Sequence, residues 1–237
     1  MGILPLTGAI GQRLLERYYG VLTFLERAKS VKGVLLMVES PGGSATASEL
    51  LYERLLAISA KKPLYAYCTM AASGGYLASL AAQKIYLPHT GAVGSIGVLS
   101  VKPVLREFFE KIGLDLEVLK KGKMKDMSLF HREFTEDERA SMEGLNEAVY
   151  ERFVDLVAQR RNLPREKALS LATGELFPAK RALSEGLVDG IKGFDEALLE
   201  LSKETGVKKE RAFFVKPRKT LLKRMMEGVF DPGLIML

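Results

Sequence analysis

A serine between an apolar run and a segment of small residues is the part of this sequence best suited to chemistry. Residues 64–68 predict a short buried strand and residues 77–82 a close-packed helix, so Ser73 falls at a strand-to-helix turn. Backbone N–H groups at the start of a helix favour negative charge, and Gly74 and Gly75 remove side-chain bulk where another backbone must come close. Ser73 is therefore a candidate nucleophile, although a serine at such a turn also serves simply as a helix cap.

A second glycine-bearing turn follows another predicted strand. Residues 33–38 are an apolar run of the kind that is buried on both faces of a parallel sheet, and Ser40, Pro41, Gly42 and Gly43 come just after it. Both turns therefore lie at carboxyl ends of strands, where open α/β sheets place their sites. Adjacent glycines can present an N–H group to an oxyanion without an obstructing Cβ, although an ordinary Pro-Gly turn has the same sequence.

A serine nucleophile needs a base, and the sequence offers two kinds. His89 lies in a predicted loop and His131 in a charged stretch, so neither is well placed. Four lysines fall within residues 120–125, where a cluster of this kind is ordinarily solvated surface. A lysine base has to be neutral, which from a pKa of about 10.4 costs roughly 4.6 kcal/mol that burial can supply. Composition does not identify which lysine is buried.

The rest of the pattern alternates strands with helices. A helix is predicted at residues 10–28 from the three- and four-residue spacing of its apolar side chains, and strands are predicted at 33–38, 63–68 and 84–87. This βαβαβ order predicts an α/β fold with a largely parallel sheet, right-handed crossovers and flanking helices.

Farther along the chain, two pairs of residues have the spacing of a capping box. Thr46 with Glu49 predicts the start of one helix, and Thr135 with Glu138 predicts the start of a long one. Residues 115–119 are predicted as a further strand between these two helices.

Composition and charge exclude several classes of protein. The single cysteine, Cys68, excludes an internal disulfide and a multi-cysteine metal site, and the two histidines are not spaced as metal ligands. The net charge of +6 lies within residues 202–227, which hold nine Lys/Arg and three acids, so the remainder is neutral. This distribution disfavours nucleic-acid binding and predicts either a segment facing acidic lipid headgroups or a solvated tail. No apolar run approaches the roughly 20 residues of a membrane-spanning helix.

Four motifs occur in order along the chain: Ser-Pro-Gly-Gly at 40–43, Ala-Ala-Ser-Gly-Gly-Tyr at 71–76, Gly-Ser-Ile-Gly-Val at 94–98 and Gly-Lys-Met-Lys-Asp at 122–126. Together they resemble the signal peptide peptidase A (SppA) family of Ser-Lys dyad proteases, which have the ClpP/crotonase fold of repeated β-β-α and βαβ units. The resemblance implies that Ser73 is the nucleophile, Lys125 the general base and Ser95 the residue that orients the lysine.

The same resemblance implies an oxyanion hole lined by the N–H group of Gly42 or Gly43 together with that of Gly74, and it implies no metal or other cofactor. Glu39 departs from the family, which commonly has Asn or Asp there. The implied substrates are remnant signal peptides and other apolar or unfolded segments. The implied partners are further copies of the chain, in ring- or dome-shaped homo-oligomers in which neighbouring protomers share the serine and the lysine.

The resemblance also gives expectations for organisation and location. We expect residues 1–205 to form one ClpP/crotonase-like peptidase domain and residues 206–237 a basic, helical extension that contacts the membrane or another subunit. We expect a membrane-associated protein whose anchor is absent from this chain, or else a cytoplasmic one. Three other interpretations stay open: a crotonase-like protein that binds or processes acyl-CoA, an inactive membrane scaffold, and a ClpP-like subunit with a histidine base and an ATPase partner.

Overall fold

The computed structural model describes residues 1–217, which form strands and helices in alternation. The strands are β1 (Gly2–Thr7), β2 (Val34–Ser40), β3 (Leu64–Ala72), β4 (Lys84–Leu87), β5 (Ala92–Gly94), β6 (Leu176–Pro178), β7 (Gly190–Ile191) and β8 (Phe213–Phe214). The helices are α1 (Gln12–Arg27), α2 (Ala45–Ser59), α3 (Gly74–Ser79), α4 (Arg106–Lys111), α5 (Glu136–Arg161), α6 (Arg165–Leu171), α7 (Ala179–Ser184) and α8 (Phe194–Thr205). A 3₁₀ turn covers Lys209–Arg211.

The eight strands form one sheet in the order β6-β5-β3-β2-β1-β8, with β4 pairing with both β3 and β7. Every pairing is parallel except that between β5 and β6. The long strand β3 pairs with β4 through its first half and with β5 through its second. The predicted α/β fold with a largely parallel sheet is therefore confirmed.

Two compact units divide the chain. Among the described residues, the first contains 1–95 and 176–217, and the second contains 96–175. The whole sheet belongs to the first unit. Helices cover both faces of its central strands, which is why these strands are continuous apolar runs rather than alternating ones.

In the first unit, alternate residues of β3 point to opposite faces of the sheet and pack against different elements. Tyr65 and Tyr67 point to one face, where they pack in a cluster with Leu198 and Leu201 of α8. Cys68 points to the other face, where its sulfur lies 3.4 Å from the hydroxyl oxygen of Ser79 at the end of α3. The helix α3, which follows Ser73, is thereby held against the carboxyl half of the sheet.

The second unit is built on α5. Its first turn has the predicted capping box, with the Thr135 hydroxyl accepting from Glu138 N–H and the Glu138 carboxylate accepting from Thr135 N–H. The predicted strand at 115–119 is wrong, because these residues are neither helix nor strand. Among the described residues, nothing pairs with them, and a strand exists only through its partner.

Two further predictions need correction. The helix α2 is capped by Ser44, whose hydroxyl accepts from Ala47 N–H at 3.4 Å, so the predicted box of Thr46 with Glu49 is wrong. The helix starts early because the preceding turn, ending at Gly43, already places Ser44 in the capping conformation. The extension from residue 206 was expected to be helical, yet Phe213–Phe214 pairs with β1. Its remainder, 218–237, lies outside the described residues.

Candidate active site

Ser73 lies between the end of β3 and the start of α3 in an unusual backbone conformation. Its φ is 50° and its ψ is −120°, a region that costs a residue with a Cβ about 1–3 kcal/mol. The Ser73 N–H donates to Gly94 O at 2.7 Å and the Ser73 carbonyl accepts from Leu77 N–H at 3.0 Å, so both strand and helix hold it there. Within the described residues its hydroxyl makes no hydrogen bond that caps α3. The geometry thus favours a reactive serine over an ordinary cap.

The turn after β2 contacts the Ser73 turn directly. A Cβ added to Gly42 would lie 2.7 Å from Gly74 N and 2.8 Å from Ser73 Cβ, distances that only a glycine permits. Gly42 also has a φ of 91°, which favours glycine independently of the space around it. The two glycine-bearing turns that the sequence places at strand ends are therefore brought together, as predicted.

Hydrogen bonding separates Gly42 from Gly43. The Gly42 N–H donates to Ser40 Oγ at 3.1 Å, and that hydroxyl donates in turn to Gly8 O at 2.7 Å. Ile10 holds the two residues on either side of Gly43. The Ile10 N–H donates to Gly42 O at 2.7 Å, and the Ile10 carbonyl accepts from Ser44 N–H at 2.9 Å. Because the Gly42 N–H already has an acceptor, Gly43 is the better candidate of the two for the predicted oxyanion donor.

The start of α3 also approaches its neighbours very closely. A Cβ on Gly74 would lie 2.0 Å from Ser48 Oγ, and one on Gly75 would lie 2.9 Å from Ser40 O. The Gly74 N–H is at the first position of α3, where it has no acceptor in its own helix. Ser40 and Ser48 are fully buried and support the site, yet sequence reasoning assigned no role to either. The spacing of Ser48 four residues after Ser44 was the available signal, since its hydroxyl donates to Ser44 O.

Ser95 is the second half-buried serine near Ser73. Ser95 comes directly after Gly94, the last residue of β5, and Gly94 O accepts a hydrogen bond from Ser73 N–H. This bond holds the backbones of the two serines close together. Ser95 also has a φ of 50°. The structure thus brings Ser73, Ser95 and the glycine turns together in the first unit.

Lys125 belongs to the second unit, where it is exposed in a turn whose backbone is closed by a bond from Lys125 N–H to Gly122 O at 3.2 Å. Its pairing with Ser73 stays a prediction. Of the two histidines, His89 is exposed, and His131 lies beside Asp126, with its Nε2 3.7 Å from that carboxylate. In the described part of the chain, no cluster of His, Cys, Asp and Glu side chains could hold a metal ion.

Comparison with known proteins gives the family and the fold of the chain. A family model described as Peptidase family S49 matches residues 57–208, and one described as Clp protease matches residues 2–93. A candidate protease of Methanocaldococcus jannaschii is 35% identical over 83% of this chain and 64% of its own length. The chloroplastic serine protease SPPA of Arabidopsis thaliana is 31% identical over 82% of this chain and 28% of its own length. The chain therefore spans less than two thirds of either relative.

A solved structure shares the fold. A point variant of ClpP1 from Listeria monocytogenes aligns with 82% of this chain and 93% of its own length, at a TM-score of 0.58 and 17% identity. At that identity the likeness concerns the fold alone. Over residues 1–217 no helix is long and apolar enough to cross a membrane.

Proposed function

The chain belongs to peptidase family S49, and from that membership we propose that it is a serine endopeptidase with Ser73 as nucleophile and Lys125 as general base. The observation that carries the proposal is the strained Ser73, held at the junction of β3 and α3 with a glycine turn against it. A nucleophile held this way keeps its oxygen available to an incoming carbonyl.

The proposed reaction is an acyl transfer in two steps. Lys125 is exposed in the single chain, so the proposal requires that assembly or bound substrate buries its amine and makes it neutral. The amine then takes the hydroxyl proton as Ser73 Oγ attacks the peptide carbonyl, and the N–H groups of Gly43 and Gly74 stabilise the resulting oxyanion. Lys125 then gives the proton to the departing amine, which leaves Ser73 acylated. Water, deprotonated by the same lysine, hydrolyses the ester and releases the acyl product. Ser95 is proposed to orient the lysine by accepting a hydrogen bond from it.

The proposed substrates are remnant signal peptides and other apolar or unfolded segments. Support comes from the resemblance to the SppA family and from the name of the plant relative. We further propose that the chain assembles into a homo-oligomer and associates with membranes. Exposed apolar side chains of the second unit support an assembly surface.

The test is labelling with a serine-directed fluorophosphonate at mildly alkaline pH, followed by assay on an apolar unfolded peptide. Ser73→Ala should abolish labelling, and Lys125→Ala should lower both labelling and peptidase rates by about 10²- to 10⁴-fold, the usual contribution of a positioned base.

Two matched controls accompany these variants. Ser30→Ala removes an exposed serine of the first unit, and Lys121→Ala removes an exposed lysine close in sequence to Lys125; both should behave as wild type. Labelling that survives in Ser73→Ala would overturn the proposal. Binding of coenzyme A by an unlabelled protein would favour the crotonase-like alternative instead.

A further inference from the structure

Asp126 and Glu138 are the only carboxyl side chains buried in the described part of the chain, and both lie in the second unit beside the turn that carries Lys125. Asp126 is 5% exposed and Glu138 is 1% exposed. Ionised carboxylates are rarely buried unless they are paired, so each should have a specific partner. The mechanism above uses neither of them.

Asp126 is held by two cations. Its Oδ1 accepts from Lys120 Nζ at 2.5 Å and lies 3.0 Å from Arg132 Nη2. His131 Nε2 lies 3.7 Å from the other oxygen, Oδ2. Hydrogen bonds from Lys120 and Arg132 lower the pKa of Asp126 to about 2, so this carboxylate is charged at neutral pH. Asp126 is therefore fixed in place by charge as well as by burial.

Arg132 joins Asp126 to the long helix. Its two terminal nitrogens donate to the two carboxylate oxygens of Glu138, each at 2.7 Å, in the planar bidentate arrangement that fixes orientation as well as distance. Glu138 in turn accepts from Thr135 N–H at 2.9 Å and so closes the capping box of α5. A continuous chain of charged contacts thus runs from the start of α5 through Arg132 to Asp126.

The Lys125 turn is attached to the end of this chain of contacts. Its own backbone has three single-turn hydrogen bonds: Lys125 N–H to Gly122 O at 3.2 Å, Met127 N–H to Met124 O at 3.1 Å and Leu129 N–H to Asp126 O at 2.9 Å. Lys125 is exposed, while its immediate neighbour Asp126 is buried and paired. An exposed turn of this kind would be mobile without an anchor, because few backbone bonds hold it.

We infer that Asp126 and Glu138, bridged by Arg132, are positioning residues that tie the Lys125 turn to the start of α5. The inference rests on the proposed function, since it matters for activity only when Lys125 is the base. Misplacing a catalytic group by about 1 Å can cost 10²-fold in rate, so the anchor should affect the chemical step rather than substrate binding.

The experiment uses Asp126→Asn in the full chain, which keeps the shape of the side chain and removes its charge. We expect kcat to fall roughly 10- to 100-fold with KM within about twofold of wild type. Glu138→Gln is the second variant, for the case in which Asp126→Asn does not fold, and should lower kcat in the same way. Asp115→Asn, which removes an exposed carboxylate of the same unit, is the matched control and should leave both constants unchanged.

A purely structural role is separated by combining variants. In a Lys125→Ala background, adding Asp126→Asn should not slow the residual fluorophosphonate labelling of Ser73 further, because the anchor then has no base to position. An additional loss in that background, a wild-type kcat in Asp126→Asn, or a loss confined to KM would overturn the inference. Full activity in either Ser73→Ala or Lys125→Ala would instead show that the proposed function itself has failed.

Discussion

Ser73 shows how much of this site depends on single residues that adopt rare conformations. Its φ of 50° is tolerated because Gly94 O and Leu77 N–H bind its backbone from two sides, while Gly42 leaves the space that its Cβ occupies. Such strain persists only where the surroundings hold the residue in place, and it is concentrated at active sites.

Gly42 should therefore be intolerant of even one added methyl group. In Gly42→Ala the new Cβ would meet Gly74 N and Ser73 Cβ at under 3 Å, so the turn has to shift and with it the Gly43 N–H that we propose as oxyanion donor. Losing one such donor costs about 10²- to 10³-fold in kcat, and we expect a loss of that size. The rate of fluorophosphonate labelling and the kcat from steady-state peptidase assays measure this loss.

Gly20→Ala is the matched control, because a Cβ at that position in α1 would have nothing within 4 Å. It should keep the wild-type labelling rate. A wild-type rate in Gly42→Ala as well would mean that the turn after β2 takes no part in the reaction.

At this scale the sequence predicted that Ser73 and the two glycine turns follow strands, and the structure places them there. The role of Ser73 as nucleophile stays a prediction. The sequence did not show the positive φ of Ser73 and Ser95, since residues with a Cβ rarely adopt that region. It also missed Ser40 and Ser48, because a buried serine looks like any polar residue until its partners are known.

Among the elements, α5 depends most on charge at its first turn. Glu138 binds Arg132 and Thr135 N–H, and these hydrogen bonds lower the pKa of Glu138 to about 2 from its ordinary value of 4.5. Between those two pH values the unfolded chain binds more protons at this position than the folded one, so stability rises with pH there. Below about pH 2 the contribution of the charge is lost.

Glu138→Gln should therefore be less stable than wild type at pH 6, with a difference that shrinks as the pH falls from about 4.5 to 2. Urea unfolding of both proteins across pH 2–6 measures this difference. Glu136→Gln, which changes an exposed carboxylate in the same turn, should show a smaller and flatter difference. A gap that is constant with pH would show that the Glu138 charge does not support the start of α5.

Most elements with a strong local signal were predictable, although the Thr46 capping box was wrong, and elements that depend on a distant partner were not predictable. Apolar runs and the Thr135 capping box fixed the parallel strands and the start of α5 because each rests on neighbouring residues. Residues 115–119 have the composition of a strand, yet pairing rather than composition makes a strand, and no described segment pairs with them.

For the whole molecule, the exposed apolar side chains of the second unit need an explanation. Leu119 is 91% exposed, Leu99 80% and Val101 78%, and Phe108 and Ile112 are more than half exposed. Single exposed apolar residues are ordinary, but several within one unit indicate an interaction surface. In the proposed homo-oligomer, the partner that covers these side chains is a second copy of the chain.

If neighbouring protomers share the active site, two inactive variants should restore activity when they assemble together. The test is a 1:1 co-expressed mixture of Ser73→Ala and Lys125→Ala. An active site then needs an intact serine from one protomer and an intact lysine from the next. In a closed ring that assembles at random, about one quarter of the sites meet this condition. Peptidase activity near a quarter of wild type is therefore expected, with light scattering to confirm the oligomer. Co-expression of Ser73→Ala with the double variant Ser73→Ala/Lys125→Ala is the control and should stay inactive, because it contains no intact serine. An inactive mixture of the two single variants in a confirmed hetero-oligomer would mean that each protomer supplies both residues of its own site. A monomer in light scattering would contradict the proposed homo-oligomer itself.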